Sequence, residues 1–145
     1  MKKILIIFAI VLGVVLFFGF RSGGTTGGTE PGAVVAEKVE VIYFHFSRRC
    51  VTCLAVESKT REALIALYPE EFSAGKITFA SVNLEEDKNR EIIDRVKATG
   101  QALLVISGNE SKDLTAEAFL YATSNYGKLK EAIKKAVDPL IKQVD

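Results

Sequence analysis

Hydrophobic and polar positions divide the chain into three stretches. From Ile4 to Phe20 every residue is apolar or glycine, with no polar face at any helical spacing. Ser22 to Thr29 is glycine, serine and threonine alone. From residue 37 onward the pattern becomes that of a folded domain. Val39 to Phe46 is β-branched and aromatic and predicts a buried central strand. Cys50 to Tyr68 predicts a helix with Ser47 as its capping residue, Leu64, Ile65 and Tyr68 inward, Glu57 and Glu62 outward beside Lys59 and Arg61, and Pro69 as its stop. Ile77 to Leu84 predicts a second strand. Glu85 to Lys97 predicts a helix with Ile92, Ile93 and Val96 inward, acidic Glu85-Glu86-Asp87 at its start and Thr99-Gly100 at its close. Ala102 to Ser107 predicts a third strand, and Gly108 to Ser111 a turn. Leu114 to Thr123 alternates and predicts a fourth strand, paired as a hairpin with the third. Asn125 to Val144 carries Tyr126, Leu129, Ile133, Ala136, Val137, Leu140 and Ile141 at three/four spacing and predicts a helix that Pro139 kinks or frays near its end.

The order is β-α-β-α-β-β-α. It predicts an α/β fold with a central mixed sheet and helices on both faces. The first three strands are expected to join by right-handed parallel crossovers, with the fourth as an antiparallel edge.

The N-terminal stretch changes the picture of where this domain works. Lys2 and Lys3 precede seventeen apolar or glycine residues, near the lower limit for spanning a bilayer and beyond an ordinary signal-peptide core. Phe17-Phe18-Gly19-Phe20-Arg21 makes a poor cleavage site. The expectation is a membrane helix, with 1–21 a signal anchor or signal peptide, 22–36 a flexible linker and 37–145 the folded domain. Lysines at the start keep the N-terminus inside and place the domain outside the cytoplasm; cleavage would leave it secreted or periplasmic. A Gly-rich tether of this length reaches about 20 Å.

Composition excludes some functions. Nineteen Lys and Arg against eighteen Asp and Glu leave no basic excess for nucleic acid phosphates. Two cysteines are too few for a disulfide scaffold. No Gly-rich phosphate loop, Ser/His/Asp set or zinc-protease motif occurs.

Both cysteines and the single histidine fall in one segment, His45-Phe46-Ser47-Arg48-Arg49-Cys50-Val51-Thr52-Cys53, at the junction of the first strand and first helix. This Cys-x-x-Cys, with the element order around it, resembles the thioredoxin superfamily over nearly all of residues 37–145. More narrowly, Tyr-Phe-His-Phe-Ser-Arg-Arg-Cys-Val-Thr-Cys-Leu-Ala-Val-Glu is similar to small bacterial thioredoxin-like proteins known as ArsF-type nitroreductase subunits. The resemblance implies a thiol–disulfide oxidoreductase with Cys50 as nucleophile and Cys53 as resolving cysteine. Its redox group would be their own disulfide, with no other cofactor, and its partners protein or small-molecule thiols and disulfides. Three positions depart from the superfamily. Gln101 stands where a cis-proline is usual, Arg49 where a tryptophan precedes the first cysteine, and Phe44 where a buried acid often lies. A cis bond before a non-proline costs about 2.5–4 kcal/mol, so Gly100–Gln101 is expected to be trans.

The residues carry their own chemistry. Cys50 at a helix start meets unpaired backbone N–H groups and the positive end of the dipole, and Arg48 and Arg49 add cations; all favour a thiolate. His45 is a candidate proton relay or a hydrogen-bonded strand residue. Other uses stay open: a static disulfide, a non-catalytic accessory subunit, or a Cu(I) metallochaperone using the two thiolates, with His45 as a third candidate ligand.

Overall fold

The structure, a computed structural model, describes residues 38–142. The expected signal anchor or signal peptide and the linker lie outside the described residues. Among the described residues no helix is long and apolar enough to cross a membrane.

Four strands form one mixed sheet: β1 (Val39–His45), β2 (Ile77–Asn83), β3 (Ala102–Ser107) and β4 (Glu110–Asp113), in the spatial order β2-β1-β3-β4. The helices are α1 (Val51–Leu67), α2 (Pro69–Ser73), α3 (Arg90–Val96, led by a short 3-10 turn at Asp87–Asn89), α4 (Thr115–Tyr121) and α5 (Tyr126–Ile141). β1 lies between two neighbours, and residues 41–45 are buried, as an unbroken apolar run predicts. Its two sides feed two apolar clusters. One joins Val41 and Tyr43 with Val56 and Leu64 of α1 and Leu129, Ile133 and Val137 of α5. The other joins Ile42 and Phe44 with Ile92, Ile93 and Val96 of α3. Helices therefore cover both faces of the sheet.

Several expectations are corrected. β1 and β2 are parallel, but β3 runs antiparallel to β1, with Ala102 opposite Phe44. A short α3 goes with this arrangement. Seven helical residues span about 10 Å, whereas a seven-residue strand runs about 23 Å. The chain leaving β2 turns back at the same end of the sheet, and β3 starts where β1 ends. Residues 100 and 101 are thereby carried to the end of β1, where α1 begins.

The fourth strand is also displaced. Gly108 takes φ +53° and Ser107 pairs with Glu110, so a two-residue turn at Gly108-Asn109 starts β4 at Glu110. The hairpin with β3 forms, but from residues 110–113. Leu114 to Thr123 is mostly the helix α4 and its flanks, not a strand. Its buried positions are Leu114, Ala118 and Ala122, four apart, a helical rather than alternating period. Asp113 accepts from the Thr115 N–H, and the Thr115 hydroxyl accepts from the Leu103 N–H, fixing this start to β3.

Smaller corrections bear on the site. Cys50, not Ser47, caps α1. The buried face of α1 is Cys53, Val56, Thr60, Ala63 and Leu64, while Ile65 is exposed. Pro69 ends α1 and opens α2 as its first residue. Lys97, not Gly100, closes α3, in the left-handed region at φ 54°. α5 is capped by Asn125, whose Oδ1 accepts from the Lys128 N–H at 3.1 Å, and continues through Pro139 to Ile141.

Candidate functional site

The site is built where β1 ends and α1 begins. Residues 46–49 form a loop tied to the end of β2. The Ser47 N–H donates to the Glu85 carboxylate at 2.7 Å, and Asn83 Nδ2 donates to the Ser47 hydroxyl at 3.0 Å. The Leu84 N–H donates to the His45 carbonyl at 2.8 Å. Glu85 thus holds the loop in front of the cysteines, instead of sitting on the first turn of a helix as the sequence suggested. Its carboxyl is held below the usual range by the hydrogen bonds from Ser47.

Cys50 has extended backbone geometry (φ −83°, ψ 169°) and is the N-cap of α1. Its sulfur accepts from the Cys53 N–H at 3.3 Å, the contact an N-cap side chain makes with the third residue of a helix. Cys50 is exposed, whereas Cys53, one turn in, is 5% exposed. Both are free cysteines, and their sulfurs are 2.6 Å apart. Little movement is needed to reach the roughly 2.05 Å of a covalent disulfide. The residues flanking Cys50 in α1 are apolar and open to solvent: Val51 is 80% and Leu54 51% exposed.

Cys53 faces inward toward two polar side chains. Gln101, at the entry to β3, turns its Nε2 to the Cys53 sulfur at 3.7 Å. Tyr43, from the middle of β1, lies close enough that its phenol and the Cys53 thiol bias each other's ionisation. Burial alone would push the Cys53 thiol up. Hydrogen bonds from the Cys50 side chain and backbone and from Gln101, with the Tyr43 hydroxyl nearby, outweigh it and bring the Cys53 pKa below its ordinary value. Burial, followed by the nearby Cys53, pushes the Tyr43 phenol up to about 12. No peptide bond among the described residues is cis, so Gly100–Gln101 is trans as expected.

The two arginines separate. Arg48 is exposed. Arg49 turns inward, ion-pairs with Glu57 of α1 and sets its guanidinium 5.7 Å from the centre of the Tyr43 ring. It therefore acts as a partly buried cation with its own counter-ion. Burial raises the Glu57 carboxyl, and the Arg49 hydrogen bond, a hydrogen bond from Ser81 and the Arg49 charge together outweigh it, leaving it below the usual range. His45 is buried, and its Nδ1 donates to the Phe46 carbonyl at 2.9 Å. Its ring lies 5.7 Å from that of Tyr43. Among the described residues no three His, Cys, Asp or Glu side chains are grouped to hold a metal, so a three-ligand set with His45 is not assembled.

Tyr43 and Glu57 are members of this site that sequence reasoning missed. Glu57 had a signal: it lies four residues after Cys53 and seven after Cys50, on the same helix face. Tyr43 had a weaker one, as the residue two before His45 on the same side of β1.

Phe44 is buried in the apolar cluster beneath α3. No acid stands on β1 beneath the cysteines, and the carboxylate that pairs with Arg49 comes from α1 as Glu57.

No protein-family model matches the chain, and no curated protein does. A solved structure described only as that of a malarial protein is similar at 17% identity, over 69% of this chain and 98% of its own, with a TM-score of 0.43. A likeness at that level carries no argument about fold or function.

Proposed function

We propose that this protein is a thiol–disulfide oxidoreductase of thioredoxin-like architecture, working through Cys50 and Cys53. The observation that carries the reading is the asymmetry of the pair. Two free thiols touch at a helix start, one exposed at the cap and one buried behind it. An exposed cysteine at an N-cap is suited to attack or be attacked, and a buried neighbour one turn later to resolve the mixed disulfide. The sheet order β2-β1-β3-β4, with β1 and β2 parallel and the other pairs antiparallel, is consistent with the architecture. Exposed Val51 and Leu54 suit a protein or peptide substrate whose disulfide is flanked by apolar residues. The Lys2-Lys3 head and the Ile4–Phe20 run support tethering to the membrane with the domain outside the cytoplasm. The test is reduction of insulin disulfides by wild type and Cys50→Ser. Activity is expected in the first and lost in the second; equal activity in both would sink the reading.

One observation favours a second reading. Gln101 places an amide against Cys53 where the resemblance expects proline to dock a substrate backbone. A non-catalytic accessory subunit, of the ArsF-type nitroreductase assemblies the sequence resembles, would keep the fold without turnover. Folded wild type that reduces no disulfide, yet co-purifies with a flavin or nicotinamide enzyme, would support it. A Cu(I) metallochaperone using the two thiolates predicts Cu(I) binding that the double cysteine-to-serine variant loses.

A further inference from the structure

We propose that the Tyr43 hydroxyl is the hydrogen-bond donor that receives Cys53 as a thiolate when the Cys50–Cys53 disulfide is opened. This inference rests on the oxidoreductase reading and names a positioning residue within it.

Tyr43 is fully buried on β1, and its hydroxyl is buried with no hydrogen-bond partner of ordinary geometry. Buried polar groups are nearly always paired, so an unpaired one calls for a reason. The groups around it leave few uses. The Arg49 guanidinium lies over its ring and is paired with Glu57. The His45 ring is beside it, with Nδ1 committed to the Phe46 carbonyl. Phe119 of α4 closes the other side at 6.5 Å between ring centres. Cys53 is buried too, near enough that its thiol and the Tyr43 phenol influence each other, and its sulfur is the group there whose charge changes in the reaction.

A substrate thiolate attacks Cys50 Sγ, and a new S–S bond joins substrate to Cys50. The Cys50–Cys53 bond breaks, and its electron pair stays on Cys53 Sγ as a thiolate. The Tyr43 O–H and Gln101 Nε2 donate to that thiolate from the sheet side. With its pKa near 12, the phenol keeps its proton throughout, so it is a donor and not a base. A better-stabilised leaving thiolate departs faster and favours the reduced pair.

The test follows opening of the oxidised full-length protein by dithiothreitol, together with the pair's equilibrium against glutathione. Tyr43→Phe removes only the hydroxyl. A hydrogen bond to a charged group is worth roughly a tenfold change, so opening is expected to slow about tenfold, with the equilibrium moving toward the disulfide. Loss of a merely structural hydroxyl would leave both unchanged. 2,3-Difluorotyrosine at position 43 retains a more acidic hydroxyl and is expected to speed opening, which guards against a packing effect of Phe. If wild type opens and closes its disulfide while both variants match it within twofold, the inference fails alone. If the wild-type pair never cycles, the oxidoreductase reading fails and takes the inference with it.

Discussion

The ion pair between Glu57 and Arg49 sets much of what surrounds the cysteines. Glu57→Gln would leave the Arg49 charge partly buried beside Tyr43. After discounting for solvent on Glu57, the expected loss is about 1 kcal/mol at pH 7. The Glu57 carboxyl sits below its ordinary range in the fold. Its contribution is therefore present above the unfolded value of about 4.3 and is lost as pH falls through the lower folded value. Urea denaturation of both proteins at pH 7 and pH 3 checks this: the gap should narrow at the lower pH, and a constant gap would count against the ion pair. The cysteine pair itself was legible in the sequence, because two cysteines three positions apart at a strand-to-helix junction share one end of one helix. Glu57 has the spacing of an exterior residue. Its direction depends on Arg49 folding inward across a loop, which no local pattern encodes.

At the scale of elements, strong periodicity survived translation into structure and weak periodicity did not. α5 matches its three/four pattern because five of its positions bury against the sheet and α1. Leu114 to Thr123 is short and fits either period. The tightness of the Gly108-Asn109 turn decides the matter by using residues 110–113 for the strand. Helix α3 ends on a lysine in a left-handed conformation, where the Lys97 N–H reaches the Asp94 carbonyl and the Ala98 N–H the Ile93 carbonyl. Glycine adopts that conformation without the Cβ conflict, which costs other residues about 1–2 kcal/mol. Lys97→Gly is thus expected to raise the thermal midpoint, with about 1 kcal/mol gained net of the extra chain entropy glycine loses on folding. A lowered midpoint would mean that the lysine side chain contributes more than the backbone conformation costs. Gly100, the expected terminator, has open space at its Cβ position and no positive φ, so Gly100→Ala should be tolerated.

For the whole molecule, the short α3 matters most. It stays at one end of the sheet, and the antiparallel β3 that follows starts with Gln101 beside the cysteines. The order of elements was readable as far as β3, apart from the short α2; α4 and the direction of β3 were not, since both depend on how the chain turns after α3 and after β3. Far from the site, α1 and α5 are joined by Tyr68, whose hydroxyl donates to Asp138 at 2.6 Å. Burial and that carboxylate push the Tyr68 phenol well up, while Asp138 is held down by the Tyr68 hydrogen bond. Tyr68→Phe should cost about 1–2 kcal/mol in denaturant unfolding while leaving dithiothreitol opening of the cysteine pair unchanged. An altered opening rate would mean the two ends of α1 are coupled. The central claim is that Cys50 is the exposed redox nucleophile and Cys53 its buried resolver. The most direct measurement is trapping with a disulfide-containing peptide, read by intact mass. Cys53→Ser should accumulate a stable mixed disulfide on Cys50 and Cys50→Ser almost none; equal trapping by both, or stronger trapping by Cys50→Ser, would contradict the account.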